Sequence, residues 1–162
     1  MERPHKHIIF NIGRMNPPTP GHMVIVRKLI EKAIELNENE IYLILSKTKD
    51  EKNPIDCFRQ TGSQSVDKKE IISYIVDGLK QKMIEQTNND EVKNKIQNMQ
   101  INLECVSEKE TEKGSEKSPI QTLIRIVREN EQKLPDAKIS LFIIIGDDRN
   151  KMPESISSII NK

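Results

Sequence analysis

Apolar and polar residues alternate along the chain in blocks that predict strands and helices. The β-branched run HIIFNIG (7–13) is typical of a buried strand, and so is EIYLILS (40–46). Between them, apolar residues recur every three or four positions from His22 to about Leu36, which predicts a helix with one buried face. The order strand, helix, strand predicts a parallel pair joined by a right-handed crossover.

The rest of the chain continues this alternation. A helix is predicted from about 67 to 83, and INLECVS (101–107) is predicted to form a third strand. The polar residues 85–100 are expected to form a partly helical connection. The charged stretch EKETEKGSEKS (108–118) is expected to be a solvated, mobile loop, and residues 47–66 are polar and irregular.

A helix start is also marked near the end of the chain. Ser118 is predicted as its N-cap, Pro119 as its first helical residue and Gln121 as the partner in a capping box, with the helix running to about Lys133. The run KISLFIIIGDD (138–148) is the most apolar of the predicted strands, and we expect it to lie in the centre of the sheet.

This order of elements predicts a single α/β domain over residues 1–162. We expect a Rossmann-like open sheet of four parallel strands flanked by helices, with a short final helix. The sequence contains no internal repeat and no linker long enough to divide the chain.

Composition narrows the functional classes. The 26 lysines and arginines nearly balance the 25 aspartates and glutamates, so no broad positive electrostatic field favours binding to nucleic acid or to an acidic membrane. No stretch approaches the ~18 consecutive apolar residues of a membrane span, and MERPHKH lacks the apolar region of a signal peptide. We therefore expect a cytoplasmic protein in which Cys57 and Cys105, far apart in sequence, are reduced thiols.

The stretch GRMNPPTPGH (13–22) lies between the first strand and the first helix. Gly13 allows a sharp turn, and Thr19 followed by Pro20 is typical of an N-cap and a first helical residue. Gly21 and His22 then fall in the first helical turn, where exposed N–H groups and the positive dipole end favour an anion. The alternative is a tight, proline-rich loop with an incidental histidine.

The same stretch resembles the signature of the nucleotidyltransferase superfamily with the (H/T)xGH motif, which includes adenylyl- and cytidylyltransferases. Thr19-Pro20-Gly21-His22 is similar to the threonine form of that motif, and GRMNPP (13–18) resembles its G-(R/S/T)-F-(N/D/Q)-P segment, with Met15 in place of the aromatic residue. SKTKDEKNPI (46–55), SPIQTLIRIV and FIIIGDDR resemble segments of the phage and viral branch, so the resemblance spans residues 7 to 150.

The resemblance implies a HUP-type fold and transfer of a nucleoside monophosphate from ATP or CTP to a phosphorylated acceptor, with release of pyrophosphate. It implies that His22 and Thr19 are catalytic and that Mg²⁺ arrives with the triphosphate, held mainly by substrate oxygens and water. Two further sets are implied: nucleotide-binding residues and contacts to the acceptor or the triphosphate. These are Gly13, Arg14, Met15, Asn16, Gly21, Gly146, Asp147, Asp148 and Arg149 for the nucleotide, and Lys52 and Asn53 for the acceptor or phosphates.

Some alternatives stay open at this point. The segment GDDR could be only a polar turn, and Lys52 and Asn53 could lie in a solvated loop. His5 and His7 could ligate a metal, but a surface pair near the N-terminus is the simpler interpretation, and we predict no metal site in the protein itself.

One departure from the family separates two functional hypotheses. The second family signature, similar to ISSTxIR, has no full counterpart, because ISSII (156–160) lacks the arginine and follows GDDR too closely. The C-terminal part is therefore expected to be short or missing. The chain is either an active nucleotidyltransferase, with a homo-oligomer allowed, or a degenerate nucleotide-binding module without turnover. An unrelated phosphate-binding α/β protein is a third hypothesis.

Overall fold

The computed structural model describes residues 4–13, 19–45, 68–105, 110–111, 114–115 and 118–144. They form six strands and four helices, of which the four longer strands lie close to the predicted positions. In chain order the elements are β1 (His5–Gly13), α1 (Pro20–Glu35), β2 (Glu40–Leu45), α2 (Lys68–Glu85), α3 (Asp90–Asn98), β3 (Gln100–Cys105), β4 (Glu110–Thr111), β5 (Gly114–Ser115), α4 (Pro119–Lys133) and β6 (Lys138–Ile143).

The main sheet of the described residues has four strands in the order β3-β2-β1-β6. All three pairings are parallel, and Phe10 of β1 lies between Tyr42 of β2 and Ile143 of β6. The predicted Rossmann-like α/β class with an open parallel sheet is therefore confirmed.

The sheet is covered on both faces because side chains alternate along each strand. Ile9, Leu43 and their neighbours on the same face pack against helices α1, α2 and α3 in one apolar cluster. Ile8 and Phe10 point to the other face and pack against α4 in a second cluster. The chain thus folds as three layers, with helices on both sides of the sheet.

The prediction that the strand at 138–148 is central was wrong for the described sheet, where β6 lies at the edge and pairs with β1. Apolar composition reports whether the faces of a strand are covered, and not how many neighbours it has in the sheet. Phe142 of β6 is covered in this way. The Lys32 ammonium of α1 lies 5.2 Å from its ring centroid, and the ring centroid of His7 lies 5.5 Å from it.

The stretch 108–118 also differs from the expected loop. Within it, β4 and β5 form a small antiparallel pair, in which Thr111 faces Gly114. Two residues separate these partners, which is the spacing of a tight hairpin. The charged composition of the segment gave no indication of this short strand pair.

The expectation of reduced thiols was wrong for Cys105, which is fully buried at the end of β3 and is disulfide-bonded. The other cysteine of the sequence, Cys57, lies outside the described residues. In the described part of the chain, no helix combines the length and apolar character needed to cross a membrane.

Candidate functional site

The topological switch point of the sheet lies between β1 and β6. The chain leaves β1 toward the helices of one face, whereas β6 follows α4 on the opposite face. In open parallel sheets, ligands bind at the carboxyl ends of the strands where the direction of winding reverses. Gly13 at the end of β1 and Ile143 at the end of β6 flank this point.

A buried asparagine connects these two strand ends. Asn11 of β1 is 4% exposed, and its side-chain Nδ2 donates a hydrogen bond of 2.7 Å to the Ile144 carbonyl oxygen. The Ile144 N–H in turn donates to the Phe10 carbonyl oxygen at 3.1 Å. A buried side-chain amide that donates to a backbone carbonyl oxygen beside the neighbouring strand fixes the relative position of the strands. Sequence analysis missed Asn11, although a single polar residue inside the apolar run IIFNI was a usable signal.

Gly13 is required by its neighbour and not by an unusual backbone angle. A Cβ at this position would lie 3.2 Å from Asn11 Oδ1, which is tighter than ordinary van der Waals contact. Its backbone does not lie in the left-handed region. Gly13 therefore makes space for the Asn11 amide at the carboxyl end of β1.

Helix α1 begins as the sequence predicted. Thr19 is the N-cap, with extended φ and ψ of −121° and 166°, and Pro20 is the first helical residue. The Thr19 carbonyl oxygen accepts the first helical bond, from the Met23 N–H at 3.2 Å. Proline lacks the N–H that would be unsatisfied at this position, so Thr-Pro is a favourable helix start.

His22 closes a capping box with Thr19. The Thr19 hydroxyl accepts from the His22 N–H at 3.4 Å, and the Thr19 N–H donates to His22 Nδ1 at 2.9 Å. Glutamate or glutamine usually supplies the return acceptor in such a box. A neutral imidazole that accepts at Nδ1 carries its proton on Nε2. The capping box thus selects the tautomer of His22 and orients its ring at the start of α1.

Gly21 lies in the same first turn and is exposed. A Cβ there would lie 3.6 Å from Thr19 Oγ1, an ordinary contact. No described contact of the protein therefore demands glycine at this position, in contrast to Gly13.

The structure brings together Gly13, Thr19, Gly21 and His22 at one end of the sheet and helix layer. The remaining predicted site residues lie outside the described residues, and the structure leaves their roles as predictions. They are Arg14, Met15, Asn16, Lys52, Asn53, Gly146, Asp147, Asp148 and Arg149.

A second polar cluster lies at the opposite, amino-terminal edge of the sheet. The rings of His5 and His7 stack with centroids 4.1 Å apart. His5 Nε2 lies 2.6 Å from Ser140 Oγ, and His7 Nδ1 lies 3.2 Å from Glu38 Oε2. Both rings are therefore engaged within the protein. Among the described residues, no group of three or more His, Cys, Asp or Glu side chains could hold a metal ion.

Lys6 organises the charges of this cluster. Its ammonium lies 3.3 Å from Glu38 Oε1 and 3.1 Å from Glu40 Oε1. Burial raises the pKa of the Glu40 carboxyl. Hydrogen bonding and charge from Lys6, together with hydrogen bonds from Tyr42 and Asn102, outweigh the effect of burial and leave the pKa below its usual value. Burial and the nearby Glu40 charge raise the pKa of Tyr42 to about 12.

Sequence analysis also missed Lys68, the first residue of α2, which is fully buried. Burial lowers the pKa of this ammonium group. Its position next to a polar, irregular stretch of sequence gave no signal that it would be enclosed.

Comparison of the chain with models of known protein families, with curated proteins and with solved structures finds no match.

Proposed function

We propose that the protein is a nucleotidyltransferase that transfers a nucleoside monophosphate from ATP or CTP to a phosphorylated acceptor and releases pyrophosphate. One observation carries the proposal: the Thr19–His22 capping box starts α1, the element that follows β1 in the chain, and β1 flanks the switch point of the sheet. A helix start at this place combines exposed N–H groups, the positive end of the helix dipole and an oriented imidazole, which together suit a phosphate chain.

The reaction needs no covalent intermediate on the protein. An oxygen of the acceptor phosphate attacks the α-phosphorus of the nucleoside triphosphate and forms a new P–O bond. The bond from the α-phosphorus to the oxygen that bridges to the β-phosphate breaks, and pyrophosphate leaves with the bond electrons. Negative charge grows on the phosphate oxygens in the transition state, so the chain must mainly position the groups and stabilise that charge.

The described residues supply donors for that task. In the tautomer selected by Thr19, His22 carries a proton on Nε2 and can donate it in a hydrogen bond to an α- or β-phosphate oxygen. The Thr19 hydroxyl and the N–H groups around Gly13 and Gly21 are further candidate donors. The resemblance adds Arg14, Met15 and Asn16 for nucleotide binding, Gly146 to Arg149 for base and ribose, and Lys52 and Asn53 for acceptor or phosphates.

Mg²⁺ belongs to the proposal as part of the nucleotide substrate. Thr19, Gly21 and His22 contribute hydroxyl, imidazole and backbone groups at the start of α1, so an ion here would be held by triphosphate oxygens and water. When bound, it neutralises charge on the phosphates; we assign no step of the reaction to it.

The test is incubation of the protein with each labelled nucleoside triphosphate, Mg²⁺ and a panel of phosphorylated acceptors, scored for pyrophosphate release. His22→Ala should lower the rate by roughly 10²–10³, the usual effect of removing one donor to a developing oxyanion. His5→Ala is the matched control, because it removes a histidine at the opposite edge of the sheet and should leave the rate within about twofold.

The outcomes separate the two functional hypotheses. Turnover that is insensitive to His22→Ala would remove His22 from the mechanism. Triphosphate binding without turnover on any acceptor would support the alternative of a nucleotide-binding module. Absence of both binding and turnover would overturn the proposed function.

A further inference from the structure

A groove of about 460 Å³ lies between α1 and α2, beside the start of α1. Pro20, Met23, Val24 and Arg27 line it from α1, a spacing that places them on one helix face. Ile75, Leu79 and Lys82 line it from α2 with the same kind of spacing. Its volume falls within the range of small-molecule sites in proteins.

The floor of the groove is apolar and part of it faces solvent. Met23, Ile75 and Leu79 are half-buried, and Met23 and Leu79 pack against the core, whereas Val24 is 53% exposed. An apolar floor that is open to water favours a ligand that removes this surface from solvent.

Among the described residues that line the groove, the two charged side chains are both cations. Arg27 Nε pairs with Glu31 Oε1 at 3.0 Å along α1, but the two side chains remain 43% and 55% exposed. Lys82 is exposed on α2. A ligand with an anionic end can therefore be paired from two different helices while the rest of it lies on the apolar floor.

We propose that this groove binds a single-chain amphiphile, with its anionic head between Arg27 and Lys82 and its apolar chain against Met23, Val24, Ile75 and Leu79. The eight residues from Pro20 to Arg27 span about 10 Å along the helix axis, which matches a chain of roughly octyl length. Thr19 also borders the groove, but the inference does not rest on the proposed function, because binding between Arg27 and Lys82 requires neither a nucleotide nor turnover.

The first experiment measures the binding of hexyl, octyl and decyl phosphate below their critical micelle concentrations by calorimetry. Each added methylene that enters the groove should tighten binding about three- to fourfold, and the gain should stop once the floor is covered. Octanol should bind more weakly than octyl phosphate because it has no charge. Equal affinity across the chain-length series, or no binding of any member, would overturn the proposal.

The second experiment tests the charged end of the groove. Lys82→Glu should weaken octyl phosphate about fivefold and leave octanol unchanged. Lys28→Glu makes the same change in net charge at an exposed position of α1 that does not line the groove, and should change affinity less than twofold. If both variants weaken binding equally, the protein attracts the anion only through its general field, and the site assignment is wrong.

The apolar floor has its own matched pair. Val24→Ser should weaken octyl phosphate at least threefold, since it removes methyl surface from the contact. Leu134→Ser shortens another exposed apolar residue, 42% exposed at the end of α4, and should have no effect. Chemical shift changes should be confined to the methyl groups of Met23, Val24, Ile75 and Leu79. Binding to anionic vesicles without binding of monomeric octyl phosphate would overturn the proposal in favour of a membrane-facing surface.

Discussion

Replacing Gly13 with alanine tests the packing at the carboxyl end of β1. The new Cβ would lie 3.2 Å from Asn11 Oδ1, so the amide must shift by a few tenths of an ångström. That amide is held by its 2.7 Å bond to the Ile144 carbonyl oxygen and is 4% exposed, so it has little room to move. The substitution should therefore disturb the connection between β1 and β6.

The expected size follows from two opposing effects. Displacing the buried Asn11 amide from its bond to the Ile144 carbonyl oxygen leaves that amide poorly satisfied, which costs about 1–3 kcal/mol. Alanine is compatible with the Gly13 backbone and lowers the entropy of the unfolded chain, which stabilises by about 0.4–1 kcal/mol. Gly13→Ala should therefore lower the free energy of unfolding by about 0.5–2 kcal/mol.

A double-mutant cycle separates the two effects. In an Asn11→Ala background the Oδ1 atom is absent, and Gly13→Ala should be neutral or stabilising by up to about 1 kcal/mol. Urea unfolding followed by circular dichroism and extrapolated to water gives the four free energies. Gly78→Ala is the control, because no atom lies within 4 Å of its added Cβ and an exposed helical glycine should gain about 0.8–1 kcal/mol. An equal effect of Gly13→Ala in both backgrounds would refute the steric argument.

Three further predictions concern capping and titration. Thr19→Ala removes the N-cap acceptor of α1 and should lower the free energy of unfolding in urea by about 1 kcal/mol, whereas Thr19→Ser should retain it. The pKa of Glu40 is lowered from its usual 4.5, so its contribution to stability is present above that pH and is lost as the pH falls through the lower pKa of the folded protein. Glu40→Gln should therefore flatten the dependence of unfolding free energy on pH in that acid range. An unchanged pH dependence would contradict the prediction. One tyrosine should ionise only near pH 12 in an ultraviolet titration, and Tyr42→Phe should remove that step.

Local signals explain how much of the fold could be predicted. Strand β1 and helix α1 follow from apolar periodicity together with the Thr19-Pro20 start, both of which depend on a few adjacent residues. Ser118 likewise marked the start of α4, where its side chain accepts from the Gln121 N–H at 3.3 Å. The edge position of β6 could not be predicted in this way, because strand order depends on contacts between residues far apart in the chain.

Parts of the candidate site could likewise be predicted from the sequence, and parts could not. The placement of Thr19 and His22 in the first turn could be predicted, but the return bond from the Thr19 N–H to His22 Nδ1 could not, because histidine is an unusual acceptor in a capping box. The Asn11–Ile144 contact was equally hidden, since the two residues are separated by 133 positions. Its donor is a residue that composition alone would assign to a turn.

The two edges of the sheet differ in what their polar groups do. At the amino edge, Lys6, Glu38 and Glu40 pair with one another, so their charges serve mainly to hold strands and the end of α1 together. At the carboxyl edge, Thr19 and His22 use their mutual hydrogen bonds to fix a ring and a helix start, and those bonds leave the imidazole proton on Nε2. A protein that binds phosphates must position donors before the ligand arrives, because reorganising them during the reaction would cost rate. The oriented imidazole at the start of α1 is therefore the physical reason to look for the ligand there and not beside the stacked histidines, whose ring nitrogens contact Ser140 and Glu38.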